Sequence, residues 1–130
     1  MKYMGWESEF STGIEIIDAQ HKRIFQIINN LHEAILVENG PKILVFILDD
    51  LLEYAYYHFE TEEPLLEKVD FSVVVSHKVI HVEIINKIVL IKEELLQGKK
   101  SLTLELVEDL RNWWFTHILE EDKKAFQKCN

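Results

Sequence analysis

The chain has 130 residues, enough for one domain with a proper core but too few for a second folded module. Apolar residues make up 48% and charged residues 28%, the balance of a soluble globular protein, and four Gly and two Pro are too few to punctuate an all-β fold. A net charge of −9 argues against nucleic acid as a partner, because its phosphates would be repelled.

Residues 1–17 have no clear helical period and read as an arm anchored by Trp6 and Phe10. Asp18 is the expected N-cap of a first helix, which continues through Ile24, Ile27, Ile28, Leu31 and Ile35 at three- and four-residue steps. Asn39-Gly40-Pro41 closes that helix and opens the next, with Gly suited to the C-terminal cap and Pro to the first turn. The second helix carries Leu44, Ile47, Leu48, Leu51, Leu52, Ala55 and Phe59 to about Leu66. A third is expected from Phe71 or Ser72 to Leu96, closed by Gln97-Gly98-Lys99-Lys100. A fourth starts near Ser101 or Thr103 and reaches about Phe126. Short connections make consecutive helices antiparallel neighbours, so the expected fold is all-α: an up-down-up-down antiparallel four-helix bundle with an N-terminal arm.

The one cysteine, Cys129, cannot form an internal disulfide, and its terminal position suits neither a metal ligand nor a nucleophile. The stretch Met1 to Glu7 lacks the apolar run of a signal peptide. The longest apolar stretch, Ile43 to Leu48, is far short of a membrane span. A cytoplasmic protein without membrane insertion is the expectation.

Seven candidate metal ligands recur at helical spacings: His21, His58, Glu62, His77, His81, His117 and Asp122. His58 and Glu62 are four apart, as are His77 and His81, and residues four apart stack on one face of a helix. In a strand such a pair would be roughly 13 Å apart, too far to hold one ion. His117 and Asp122 are five apart, which turns them about 140° around an ideal helix, and periodicity alone prefers Glu121. In the up-down-up-down topology, the starts of the odd helices and the ends of the even ones share one end of the bundle. All seven candidates therefore converge at one level, as dinuclear sites in four-helix bundles do. A lone buried His is more often a hydrogen-bonded core residue than a ligand, but five of six at one level set that ordinary reading aside. His32 is the sixth, roughly 16 Å beyond His21 along the same helix, and is expected to be structural or at the surface. Glu53, Glu60, Glu63, Glu67 and Glu83 read as solvated helix faces.

Imidazole with carboxylate suits iron, zinc, copper or manganese, so ligand type does not choose the metal. If both carboxylates and a solvent-derived oxygen bridge two ions, five His remain to be shared. The ion with three becomes six-coordinate, and its partner with two keeps an open position for a small molecule.

The strings Trp6…Gly13-Ile14…Ile17-Asp18-Ala19-Gln20-His21, His58-Phe59-Glu60-Thr61-Glu62-Glu63, His77-Lys78-Val79-Ile80-His81 and His117-Ile118-Leu119-Glu120-Glu121-Asp122 resemble those of the hemerythrins, in particular the single-domain bacteriohemerythrins. The resemblance runs from Trp6 to Asp122, with four motifs in order. It implies a single hemerythrin-like domain over residues 1–130 and a cofactor of two iron ions, an oxo- or hydroxo-bridged centre. His77, His81 and His117 would hold the six-coordinate iron, His21 and His58 the five-coordinate one, and Glu62 and Asp122 would bridge. It chooses Asp122 over Glu121, with the wide angle absorbed by side-chain reach or local helix distortion. Dioxygen would bind reversibly at the open iron, in a dry pocket lined by Ile24, Phe59, Trp113, Ile118 and Leu119, with Trp114 beside them. Each of these is equally readable as plain core.

The resemblance further implies a monomeric oxygen carrier, store or supplier rather than an enzyme, with an oxygen-consuming enzyme as the recipient. The alternatives are a di-iron enzyme acting on peroxide or nitric oxide, and an iron-storage or sensing protein. Two features depart from a simple carry-over. Pro64 removes a backbone donor two residues after Glu62, so the second helix is expected to kink or end early. A Leu is common in the family where this chain has Trp114, directly after Trp113, so the rings are expected to narrow the pocket or turn one of them outward.

Overall fold

The computed structural model describes residues 3–37, 40–97 and 104–127. Among these there are helices and no strand: α1 (Glu15–Leu36), α2 (Pro41–Val69), α3 (Phe71–Leu96), α4 (Leu104–Thr116) and α5 (Lys123–Gln127). A π-helical turn, His117–Asp122, joins α4 to α5, and the backbone stays helical at Thr116 and Lys123 on either side. These three pieces form one continuous rod, the fourth of an antiparallel up-down-up-down bundle. α1 packs on α2 and α4, and α2 packs on α3 and α5. Cys129, Asn39, the closing residues 98–100 and the expected start of the fourth helix at Ser101 or Thr103 lie outside the described residues.

The arm is more structured than its sequence pattern suggests. A single 3-10 turn, Ser8–Phe10, buries Phe10, whose ring stacks on Phe115 at 5.2 Å and meets the edge of Phe25 at 5.3 Å. Trp6 tilts onto both Phe10 and Phe25. Asp18 does not cap α1, which begins three residues earlier after Ile14. Its carboxylate instead accepts from Ser11 Oγ at 2.7 Å, and from Thr12 N and Thr12 Oγ1 at 2.8 Å each. Gly13, at φ 83°, supplies the left-handed turn that folds the arm back onto this carboxylate. The acidic residues Glu15 and Asp18 also sit favourably in the first turn, near the positive end of the helix dipole.

Two further boundaries differ from the sequence expectation, and a third agrees with it. Gly40 is the N-cap of α2 in an extended conformation, at φ −71°, rather than the C-terminal cap of α1. Pro64 does not end α2, which runs on to Val69. The lost donor would have served the Glu60 carbonyl, and both Glu60 and Pro64 are exposed, so the missing bond lies on the solvent side of the helix. Asp70 caps α3 through its carboxylate to Ser72 N at 3.0 Å, which starts the helix at Phe71 as expected.

The interior has two apolar clusters. The larger joins Ile24, Ile28 and Leu31 of α1, Leu48 and Leu51 of α2, Ile84 and Ile88 of α3, and Leu110 and Trp114 of α4. The smaller joins Ile17, Leu66, Val74, Ala125 and Phe126 at one end of the bundle. Each fully buried side chain of this size contributes about 1.5–3 kcal/mol. In every helix the candidate ligands fall between members of the two clusters: His21 between Ile17 and Ile24, and His77 and His81 between Val74 and Ile84. A polar layer is thus sealed between two apolar ones.

Candidate metal centre

The structure brings all seven candidate side chains together in that layer. His21, His58, Glu62, His117 and Asp122 have no solvent exposure, while His77 is 4% and His81 2% exposed. Burying two carboxylates this close together is costly unless cations or donors face them. Here five imidazoles do.

The contacts divide cleanly by oxygen. Glu62 Oε2 lies 2.9 Å from His58 Nε2 and 3.7 Å from His21 Nε2, whereas Oε1 lies 3.2 Å from His81 Nε2. Asp122 Oδ2 is 3.1 Å from His21 Nε2, and Oδ1 is 3.1 Å from both His77 Nε2 and His117 Nε2. Each carboxylate therefore presents one oxygen to the pair His21 and His58, and the other to the trio His77, His81 and His117. Ring nitrogens within each set also crowd one another: His21 Nε2 to His58 Nε2 is 3.1 Å, and His81 Nε2 to His117 Nε2 is 3.2 Å.

These spacings fit metal coordination. Ligand atoms about 2.1 Å from one ion, at right angles, are about 3 Å from each other. One ligand atom from each of His21, His58, Glu62 and Asp122 lies within 4.8 Å of the others, and the same holds for Glu62, His77, His117 and Asp122. Both oxygens of Glu62 and Asp122 Oδ2 are buried without a hydrogen bond, although ring nitrogens lie beside them. An ion shared between these atoms would satisfy them.

Four of the five outward nitrogens are tied down, that of His21 being buried without a partner. His58 Nδ1 donates to Gln20 Oε1 at 2.7 Å, His81 Nδ1 to Glu63 Oε2 at 2.9 Å, His117 Nδ1 to Glu121 Oε1 at 3.1 Å, and His77 Nδ1 to the Val73 carbonyl at 3.1 Å. With Nδ1 as the donor, the Nε2 lone pair is left to face the centre. Gln20 is itself fixed by Thr61 Oγ1 at 3.1 Å.

The π-helical turn explains the five-residue spacing. An i→i+5 turn carries one more residue than an α-turn, so His117 and Asp122 share a face that an ideal helix would deny them.

A family model described as "Hemerythrin HHE cation binding domain" matches residues 12–129. The chain belongs to the hemerythrin family. It is 32% identical to a bacteriohemerythrin of Pseudomonas aeruginosa over 124 residues, covering 94% of this chain and 78% of that one. It is 31% identical to a bacteriohemerythrin of Clostridium acetobutylicum, covering 92% and 95%. A crystal structure of wild-type hemerythrin superimposes with a TM-score of 0.88 at 27% identity, covering 96% of each chain.

In this hemerythrin chain the two carboxylates would draw protons onto the imidazoles that face them when no cation lies between. Burial alone would lower His21, but Asp122 and Glu62 override it and raise its pKa to about 9. Burial likewise opposes, and Asp122 and Glu121 outweigh it, at His117, raised to about 10. His77 is raised against its burial by Asp122. Burial prevails at His58, which is lowered. Glu62 and Asp122 are both held below the usual carboxylate range, their burial outweighed by His58 and His21 for Glu62 and by His117, His21 and His77 for Asp122.

The expected pocket residues fall into two groups. Phe59 and Trp113 touch the centre: Phe59 stacks on His81 at 3.7 Å, and Trp113 on His117 at 4.7 Å. Ile24 and Ile118 are buried and Leu119 half-buried, all packed into the larger apolar cluster. Neither tryptophan turns outward, since Trp114 is fully buried and Trp113 half-buried. His32 stands apart, stacked on Tyr3 at 3.8 Å.

Sequence reading missed Gln20 and Glu63 and mistook the part of Glu121. Glu63, expected on a solvated face, reaches inward to His81. Glu121 does face His117, as its four-residue spacing requires, but at the outward nitrogen. Gln20 left no signal beyond its place beside His21.

No described helix is long and apolar enough to cross a membrane.

Proposed function

We propose that the seven side chains hold two iron ions and that the protein binds dioxygen reversibly there. The observation that carries this reading is the division of the carboxylate oxygens, two imidazoles on one side and three on the other. His77, His81 and His117 hold one ion, His21 and His58 the other, and Glu62 and Asp122 span both. Two iron ions so held supply the electrons and the open coordination position that reversible dioxygen binding needs. Gln20, Glu63, Glu121 and the Val73 carbonyl orient four of the rings. Phe59, Trp113 and the larger apolar cluster exclude water and its protons, with Ile24, Ile118 and Leu119 as further lining.

Binding is favoured over enzymatic chemistry by the polar inventory. Among the described residues, the buried polar side chains besides the seven are Thr12 and Gln20. Thr12 is engaged with Asp18, and Gln20 with His58 and Thr61, so neither is free as an acid or base. Relatives carrying the name bacteriohemerythrin support the same reading. On this reading the protein is a cytoplasmic, single-domain monomer that serves an oxygen-consuming enzyme.

The test is to reduce the iron-loaded protein anaerobically, admit air, and then remove the gas. A visible band that appears and disappears with the gas is expected. Turnover of peroxide or nitric oxide would favour a di-iron enzyme instead, and no response to gas an iron store.

A further inference from the structure

Among the described residues, five buried side-chain polar atoms have no hydrogen-bond partner. Four belong to His21, Glu62 and Asp122 of the centre, and the fifth is Trp114 Nε1. A buried N–H without an acceptor is costly and calls for an explanation. The place of the ring supplies one.

Trp114 has no solvent exposure. Its ring lies 6.5 Å from that of His58 and 6.2 Å from that of His117, so it adjoins both imidazole sets. Phe59, stacked at 5.9 Å, and Trp113, edge-on at 4.9 Å, fix it in place. The His21 and His58 side has one nitrogen fewer than the other, so the open position falls on the side that Trp114 flanks through His58. Phe59 and the aliphatic groups named along this wall offer no donor, and the other indole, Trp113, is half-buried and stacked on His117 of the opposite set.

We propose that the Trp114 indole N–H is the hydrogen-bond donor to a small acceptor molecule, dioxygen or a triatomic anion, held beside His58. The inference rests on the two-iron reading of the centre. It makes Trp114 a binding residue that favours ligands with an exposed lone pair, a preference that a leucine at this position could not provide. The N–H is left without a partner so that it is available to the ligand.

Azide is a suitable probe, being a triatomic acceptor whose binding to ferric iron is read from a visible charge-transfer band. The oxidised, iron-loaded protein is titrated with azide in parallel with Trp114→Phe and Trp114→Leu. Iron content and the helical circular dichroism of the metal-free proteins are measured alongside. The variants are expected to keep the parent's iron content and helix signal and to bind azide about tenfold more weakly or worse. Azide affinities within about twofold of the parent's, with iron retained, would overturn the donor role. If one variant loses iron, the other decides. Loss of iron in both would also overturn it, because the indole would then be serving the fold. Failure of the parent itself to load iron or bind azide would strike the two-iron reading, a result distinguishable from the others.

Discussion

His117 Nε2 and Asp122 Oδ1 lie 3.1 Å apart across a π-helical turn, on two residues that an α-helix would point in different directions. The residue between them in helical phase, Glu121, is sent instead to the other side of the same ring, 3.1 Å from Nδ1. One local change of pitch thus gives His117 both an inward and an outward carboxylate partner.

The two carboxylates should therefore fail differently. Asp122→Ala removes a group that faces three imidazoles and is expected to abolish most iron loading. Glu121→Ala removes only the support of Nδ1 and is expected to weaken metal affinity by about 10–100-fold while leaving a loadable site. Iron retained during dialysis against graded chelator separates the two, and equal retention would contradict these roles.

Glu62 reaches both imidazole sets, one with each oxygen. Glu62→Ala is accordingly expected to lose iron at both positions, not one. Retention of two tightly held irons by this variant would remove Glu62 from the centre.

Phe59 forms part of the wall between the centre and an open groove that also exposes Tyr56, Glu63, Lys78 and Val82. Phe59→Ala should cost about 3–5 kcal/mol of stability, read from denaturant unfolding of the metal-free protein. His81 already lines this groove beside Phe59, so the truncation should let water pass the His81 ring into the centre, and the oxygenated spectrum should decay faster than the parent's in air. An unchanged decay with iron still bound would mean that Phe59 is ordinary core.

The bundle and the convergence of ligands were legible because both follow from spacing: four-residue pairs, short connections and alternating direction suffice. The outward partners were not, because whether a Glu on a helix rim turns to water or to a ring depends on the neighbouring helix. Glu63 is the plain case, since nothing along α2 distinguishes it from Glu60, yet only Glu63 meets His81 on α3. Asp18 was misread for a related reason. Its residue type suits a cap, but the arm that it binds has no periodicity to announce where it folds back. Pro64 shows the reverse, a strong local signal overridden because the residues on either side of it, Glu62 and Leu66, are fully buried while Pro64 faces solvent.

The metal-free protein should lose stability on the alkaline side. Folding raises His21 to about 9 and His117 to about 10, from an ordinary value of 6.5. Stabilisation from these protonated rings is complete below about pH 6.5 and is lost as the pH rises through 9 to 10. His58, lowered by burial, is neutral in both states above pH 6.5 and adds no slope there. Glu62 and Asp122, held low, contribute stability above the ordinary carboxylate range and lose it as the pH falls. Melting temperatures of the metal-free protein from pH 6 to 10 should fall, and a flat or rising series would contradict the proton-filled centre.

The most direct measurement is the metal content of protein produced with ample iron and stripped of loosely bound ions. Two irons per chain are expected, one for each side of the shared carboxylates. A ratio of one, or zinc bound stoichiometrically in preference to iron, would contradict a dinuclear iron centre built from these seven residues.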